Sequence, residues 1–350
     1  MYREVLEIIR REGCEGYLVG GSVRDMIMGM QTADYDICTS AHPEKIKSIF
    51  NDCTVIETGI KHGTVTVIYK DVPFEITVFR SEQGYSDHRH PDKVIFGASL
   101  TEDLLRRDFT MNAICFDGKN FIDPLNGLND IKKRVIRAVG NPKKRFEEDT
   151  LRILRGLRFA SVLGFEIETQ TAMAMEAQAY DFEGVSAERI FTEFSKAAKG
   201  KHFRQVYIKY YDVFRKFIPY AAKTESVYLN AEDAVASLKA LKADKKSVRL
   251  AEIYFSAPQE EPIQLLRRYG YEAARFICEK RGITEKLDRA LKIGLPYTVA
   301  MLDIRGSDLI TLTDDKTKIG KALEKLLDSV MSGETQNKRE ILLQKAVDIL

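Results

Sequence analysis

Only five of the 350 residues are cysteine, at positions 14, 38, 53, 115 and 278, an odd number with no CxxC pair. That reads against a disulfide framework or a structural zinc site and fits a reducing cytoplasm. No stretch approaches the roughly 18 uncharged apolar residues of a membrane span. The N-terminal MYREVLEIIRREG is charged and helical in pattern, unlike a secretory signal. There is no tandem repeat and no low-complexity segment. Histidine is scarce and absent after His202, so the second half lacks the His-Asp ligands of an HD-type phosphohydrolase. An excess of one charge is also missing: 54 basic against 52 acidic residues leave a net of +2. Taken alone, that argues against a broadly basic nucleic-acid-binding protein.

What is present is an ordinary globular composition, 44% apolar and 30% charged, in a length suited to about two domains. GYLVG (16–20) reads as a strand entering a glycine turn, Ser22 to Met28 as a short helix, and 32–40 as a strand with charged positions. A helix is expected from about Pro43 to Phe50, then strands at Thr64 to Tyr69 and Phe74 to Phe79, the latter with Phe74, Ile76 and Val78 on one face. Gly84 to Pro91 reads as a loop, Leu100 to Arg107 as a helix start, and residues 123–127 as a turn. After about residue 140, helical periodicity dominates: Leu151, Leu154, Leu157 and Val162, then Ile190, Phe194 and Ala197. The expected fold class is α+β: a head over 1–140 with a mixed sheet and helices, a helical neck over 141–200, and a helical body and tail over 201–350.

Asp34 and Asp36 are two apart on the expected strand, which points both carboxylates to one face. A DxD by itself reads as a solvated surface pair, but two carboxylates on one face are costly without a cation between them, and a hard divalent cation such as Mg²⁺ is the natural partner. Glu75 lies opposite Phe74, Ile76 and Val78. It is either an exposed strand residue or a third carboxylate, in which case the set could hold two metals for in-line phosphoryl transfer. Gly20-Gly21-Ser22 sits between a strand and a helix, a turn that exposes backbone N–H groups to an anion. Arg24 is placed to add a charge-assisted bond to a triphosphate. No GKS or GKT follows, so this is not a P-loop. The turn lies 13 to 14 residues before Asp34, which suits a nucleotidyltransferase palm.

The stretch LVGGSVRDMIMGMQTADYDICT resembles the first motif of the tRNA nucleotidyltransferase (CCA-adding enzyme) and bacterial poly(A) polymerase family, class II. RRDFTMNAI (106–114) resembles its second motif, DPLNGLNDI (123–131) its third, EDTLRILRGLRFASVLGF (148–165) its nucleotide-selecting motif, and SAERIFTEF (186–194) a late neck signature. The resemblance implies that Arg107 and Asp108 contact the incoming nucleotide, Asp108 at the ribose, with Asn112 a further candidate. Phe109 reads as core. Gly21 and Arg24 join them as nucleotide-binding positions, while Asp34 and Asp36 bind metal and, with Glu75, form the catalytic set.

Arg152 follows Asp149 by three, which puts both on one helix face, as in an i,i+3 surface ion pair. An acceptor beside a fixed donor also matches an edge shared by cytosine (N4 donor, N3 acceptor) and adenine (N6, N1), and reversed in guanine and uracil. Each mispaired buried group costs about 1–3 kcal/mol. The resemblance gives Asp149 and Arg152 this base-reading role. Arg155 and Arg158 continue the stripe with no acid after Asp149 on the helix, which reads as phosphate contact.

The implied activity is Mg²⁺-dependent, template-independent addition of C, C and A to the tRNA 3′ end from CTP and ATP, in the cytoplasm. A-only addition, poly(A) synthesis and, from another class, a catalytically dead RNA-binding module are the alternatives. An antibiotic nucleotidyltransferase would share the GG…DxD core without needing EDxxR. Residues 81–96 resemble a flexible loop of members that add A, which lowers CC-only addition. The charge total now divides: residues 1–130 hold 14 basic and 21 acidic side chains, whereas 131–158 hold 10 and 3. A local phosphate-binding zone therefore follows an acidic head, and RNA affinity should fall steeply with salt.

Overall fold

The computed structural model describes residues 1–32, 34–84, 93–179, 185–218 and 231–350. These form two compact units, residues 1–243 and 244–350.

The first unit opens with helix α1 (Tyr2–Arg11), whose Val5, Leu6 and Ile9 are buried at helical spacing. Its sheet has seven strands in the order β3-β4-β5-β2-β1-β8-β9. They are β1 (Gly16–Val19), β2 (Tyr35–Thr39), β3 (Thr54–Ile56), β4 (Thr64–Tyr69), β5 (Val72–Val78), β8 (Cys115–Phe116) and β9 (Phe121–Ile122). The β2–β5 pair is parallel and every other neighbour antiparallel. This mixed sheet bears out the expected α+β head. Alternation explains its two-sidedness: Val65 and Val67 on β4, and Phe74, Ile76 and Val78 on β5, are buried, while Glu75 faces out. Helices α2 (Gly21–Ile27) and α3 (Pro43–Ile49) flank the sheet.

Two local readings are corrected. Strand β2 begins at Tyr35, so Asp34 precedes it as an exposed coil residue. The segment 81–96 is not loop throughout: β6 (Arg80–Gln83) pairs antiparallel with β7 (Lys93–Phe96), and the loop expected at 85–91 lies outside the described residues.

Helix α4 (Leu100–Leu105) starts from a Ser99–Glu102 capping box, after which Thr110–Asn112 makes a single 3₁₀ turn. That turn is tied down by α5 (Gly127–Lys133), because Thr110 Oγ1 donates to Asp130 Oδ2 at 2.7 Å. Asp123 accepts the Gly127 and Leu128 N–H groups, both at 2.8 Å, and so starts α5. The third motif is therefore scaffolding for the second.

From residue 142 the described residues of the first unit are mainly helical: α6 (Pro142–Glu148), α7 (Leu151–Leu163), α8 (Thr169–Gln178), α9 (Ala187–Ala198), α10 (Phe203–Lys209), α11 (Tyr211–Phe217) and α12 (Ala231–Ala240). One strand interrupts it, β11 (Glu166–Ile167), which pairs in parallel with β10 (Val135–Ile136). Helix α7 lies close to the head because Gly156 has no side chain: a Cβ there would sit 2.4 Å from Met175 Cε and 3.0 Å from Phe109 Cζ. Phe109 is fully buried, as expected of a core residue.

The second unit contains α13 (Lys245–Ser256), α14 (Pro262–Arg281), α15 (Thr284–Ile293), α16 (Gly306–Leu309), α17 (Lys316–Met331) and α18 (Arg339–Ile349). One cluster gathers Leu265, Leu266, Ile277 and Leu287, and another gathers Leu309, Leu326, Leu327 and Leu342. No helix among the described residues is long and apolar enough to cross a membrane.

Candidate active site

Gly20 turns the chain from β1 into α2 with φ 77° and ψ −137°, a backbone conformation that favours glycine. A Cβ at Gly20 would lie 3.4 Å from Asp36 Oδ2 and 3.5 Å from Arg107 Nη1, so the turn passes directly against both side chains. Asp36 is in register with Glu75 across the parallel β2–β5 pair. Burial pushes the Asp36 carboxyl above its usual pKa. Glu75 and then Asp34 add to the rise, and Arg107 opposes it. Like charges therefore face one another with only partial compensation, a donor set chemically suited to a hard divalent cation. Among the described residues no three acidic, thiol or imidazole side chains form a complete metal cage. One or two carboxylates completed by substrate phosphates is the usual arrangement for Mg²⁺.

Arg24, expected to meet a triphosphate, is buried and already engaged. Its Nη1 donates to Asn112 Oδ1 at 2.8 Å, and Nε and Nη2 donate to Asp25 Oδ1 at 2.9 and 2.7 Å. Arg107 pairs with the buried Asp103 of α4 at 3.1 Å. Gly21, Arg24, Asp36, Arg107 and Asn112 line one cleft of about 470 Å³, which Arg155 and Arg158 also reach.

A second cleft, about 550 Å³, is lined by Arg107, Asp108, Asp149, Arg152, Arg155 and Arg189, among others. Here the expected helix-face pair is corrected. Asp149 has φ −146° and ψ 100° and lies in the break between α6 and α7, not on the face of α7. Its Oδ1 accepts the Leu151 N–H at 3.1 Å, and its Oδ2 accepts Arg189 Nη2 of α9 at 3.1 Å. Arg152 instead pairs with Glu148 Oε2 at 2.7 Å and donates to the carbonyls of Arg145 and Arg106, both at 3.0 Å. The two side chains line one cleft without being bonded to each other. A carboxylate has about four acceptor sites and a guanidinium five N–H groups, so both retain capacity for a base.

The arginine stripe is corrected in the same way. Arg155 gives Nε and Nη2 to Asp108 Oδ2 at 2.9 and 2.6 Å, and Arg158 Nε lies 3.1 Å from Glu193 Oε2 of α9. The arginines are compensated by acids on other elements, which inspection of α7 alone cannot show. Sequence reasoning gave no role to Glu148, Arg189 or Glu193. The available signal was the SAERIFTEF segment, where Arg189 and Glu193 are four apart and share the face of α9.

Asp108 also accepts the Phe109 N–H at 2.8 Å and Asn112 Nδ2 at 3.0 Å. Burial pushes its carboxyl up, but Arg155 and these hydrogen bonds hold it well below the usual range. A depressed carboxyl stabilises the fold above the unfolded pKa of about 3.9, and that contribution is lost as pH falls toward the folded pKa. In Arg155→Ala the buried carboxylate loses its counter-charge, which costs about 3–5 kcal/mol. Urea titrations should show that deficit at pH 7 and a smaller one at pH 5, where Asp108 of the variant takes up a proton. An equal deficit at both pH values would contradict the assignment.

A family model described as the poly A polymerase head domain matches residues 16–137, and one described as the probable RNA and SrmB-binding site of polymerase A matches 164–222. The chain is 35% identical to the CCA-adding enzyme of Streptococcus mutans, over 97% of this chain and 94% of that protein. It is 33% identical to that of Enterococcus faecalis, over 99% and 95% respectively. Among solved structures, the Bacillus stearothermophilus CCA-adding enzyme in complex with CTP matches with a TM-score of 0.78 at 29% identity, covering 99% of this chain and 96% of that one. Near-full-length identity of this order, on a fold that joins a carboxylate cleft to an Asp–Arg cleft, places the chain in the CCA-adding enzyme family of nucleotidyltransferases.

Proposed function

We propose that this protein adds C, C and A in order to the 3′ end of tRNA, taking CTP and ATP and using no nucleic-acid template. One observation carries the reading: the carboxylate cleft and the Asp149–Arg152 cleft are joined through Arg107 and Arg155, which line both. A nucleotide spanning them has its base at Asp149 and Arg152, its ribose near Asp108, and its phosphates beside Asp36 and the Gly20-Gly21 turn.

Enzymes of this family generally use divalent metals. In this chain Asp34 and Asp36 would hold Mg²⁺, with Glu75 beside them. Such an ion, when bound, neutralises the triphosphate and activates the RNA 3′-hydroxyl. The 3′-hydroxyl gives up its proton to water, its oxygen bonds to the α-phosphorus, the bond from that phosphorus to the β-bridging oxygen breaks, and pyrophosphate leaves. Asp149 and Arg152 accept the edge common to cytosine and adenine and oppose the reversed edge of guanine and uracil. Residues 1–140 act as the catalytic head, 141–200 select the nucleotide, and 201–350 hold the tRNA by shape and phosphate contacts. On this reading the reaction belongs to the cytoplasm.

With Mg²⁺ and tRNA lacking its CCA end, labelled CTP and ATP should be incorporated and labelled GTP and UTP should not. A chelator should stop incorporation and excess Mg²⁺ restore it. Incorporation indifferent to chelation would contradict the metal assignment, and none on any RNA would contradict the reading.

A further inference from the structure

The cations around the carboxylate cleft are not equivalent. Arg24 is paired with Asp25 at 2.7 Å, Arg107 with Asp103 at 3.1 Å, Arg155 with Asp108 at 2.6 Å and Arg158 with Glu193 at 3.1 Å. Each arginine thus already faces a carboxylate. Lys196, on α9, lines the same cleft beside Val162 and Leu163, is exposed, and has no acidic or hydrogen-bonding partner among the described residues.

The geometry points to Lys196 as the side chain that binds the terminal phosphates of the incoming nucleotide, a role resting on the function proposed above. A nucleoside triphosphate brings about four negative charges into a cleft that already holds Asp36 with Glu75 in register beside it. The paired arginines supply directional N–H groups but little net positive charge, because the acids behind them cancel most of it. Lys196 supplies charge with no such cancellation. It lines the carboxylate cleft and not the base cleft, where Asp149 and Arg152 lie. Its ammonium is a mobile point charge on a long stem, suited to following a phosphate that leaves as part of pyrophosphate. Because it does not line the base cleft, its contribution is the same for CTP and ATP.

The test compares Lys196→Gln and Lys196→Arg with the unaltered full chain. In Lys196→Gln, the KM values for CTP and ATP should rise together by about tenfold, the loss of one charge-assisted contact. The preference for CTP over UTP should not move. Inhibition by added pyrophosphate should weaken by a similar factor, while inhibition by CMP, which lacks the terminal phosphates, stays unchanged. Lys196→Arg should restore most of the affinity. Thermal unfolding should match in all three proteins, since the residue is exposed and unpaired. Unchanged KM values, or equal weakening of pyrophosphate and CMP inhibition, would overturn the assignment. Failure of the unaltered protein to incorporate any nucleotide would instead overturn the function on which it rests, and equilibrium binding of pyrophosphate to the three proteins would still report on Lys196.

Discussion

Replacing Asp34 and Asp36 together with alanine removes nucleotide incorporation by at least about a thousandfold, while tRNA binding stays within about twofold. The loss is large because, in the proposed mechanism, the two carboxylates would hold the cation that stabilises charge in the transition state, worth several kcal/mol at tenfold per 1.36 kcal/mol. Binding persists because RNA affinity comes from phosphate contacts elsewhere. The fold supplies a second readout. Burial, Glu75 and Asp34 raise the Asp36 carboxyl above its usual pKa. A raised carboxyl contributes stability below its unfolded pKa and loses it as pH rises, so at pH 7 its ionised form weighs against folding. Asp36→Asn should therefore melt at the same or a higher temperature than the unaltered protein in chelator, while being inactive. An active Asp34→Ala/Asp36→Ala protein would remove the carboxylates from the mechanism. A sharply destabilised Asp36→Asn would show that the aspartate is structural.

The second large effect concerns choice of nucleotide. Asp149→Ala should lower the ratio of kcat/KM for CTP over UTP by roughly 10- to 100-fold, the equivalent of about 1–3 kcal/mol for a mispaired buried polar group. Arg189→Ala should lower it less, because Arg189 orients Asp149 through the 3.1 Å bond, and without it the Leu151 N–H still holds the other carboxylate oxygen. Unchanged selectivity in Asp149→Ala would mean that another element reads the base.

The residues that form the sheet were legible because β4 and β5 alternate cleanly, with Val65, Val67, Phe74 and Ile76 buried. Asp36 and Glu75 were legible as candidates, but their register was not, since the parallel pairing of β2 with β5 is set by topology and not by local pattern. The break at Asp149 escaped notice because Glu148 to Arg158 keep helical spacing and no glycine or proline marks the end of α6. The partners of the arginine stripe lie far off in sequence, Asp108 being 47 residues from Arg155. A helix face that reads as free charge in one dimension is thus neutralised in three. The paired strands β6 and β7 are four residues each, too short to stand out from the polar sequence around them.

Ordered addition is tested most directly by three tRNAs ending at the discriminator base, at C and at CC. Each is incubated with the protein, Mg²⁺, CTP and ATP, and the products are resolved to single-nucleotide length. The expected result is that all three converge on the same CCA-ended product. CTP alone should stop the first two at CC and leave the third unextended, and ATP alone should extend only the third, by one residue. Extension of the CC-ended tRNA alone when both nucleotides are present, or growth of an A tail beyond one residue, would contradict the account.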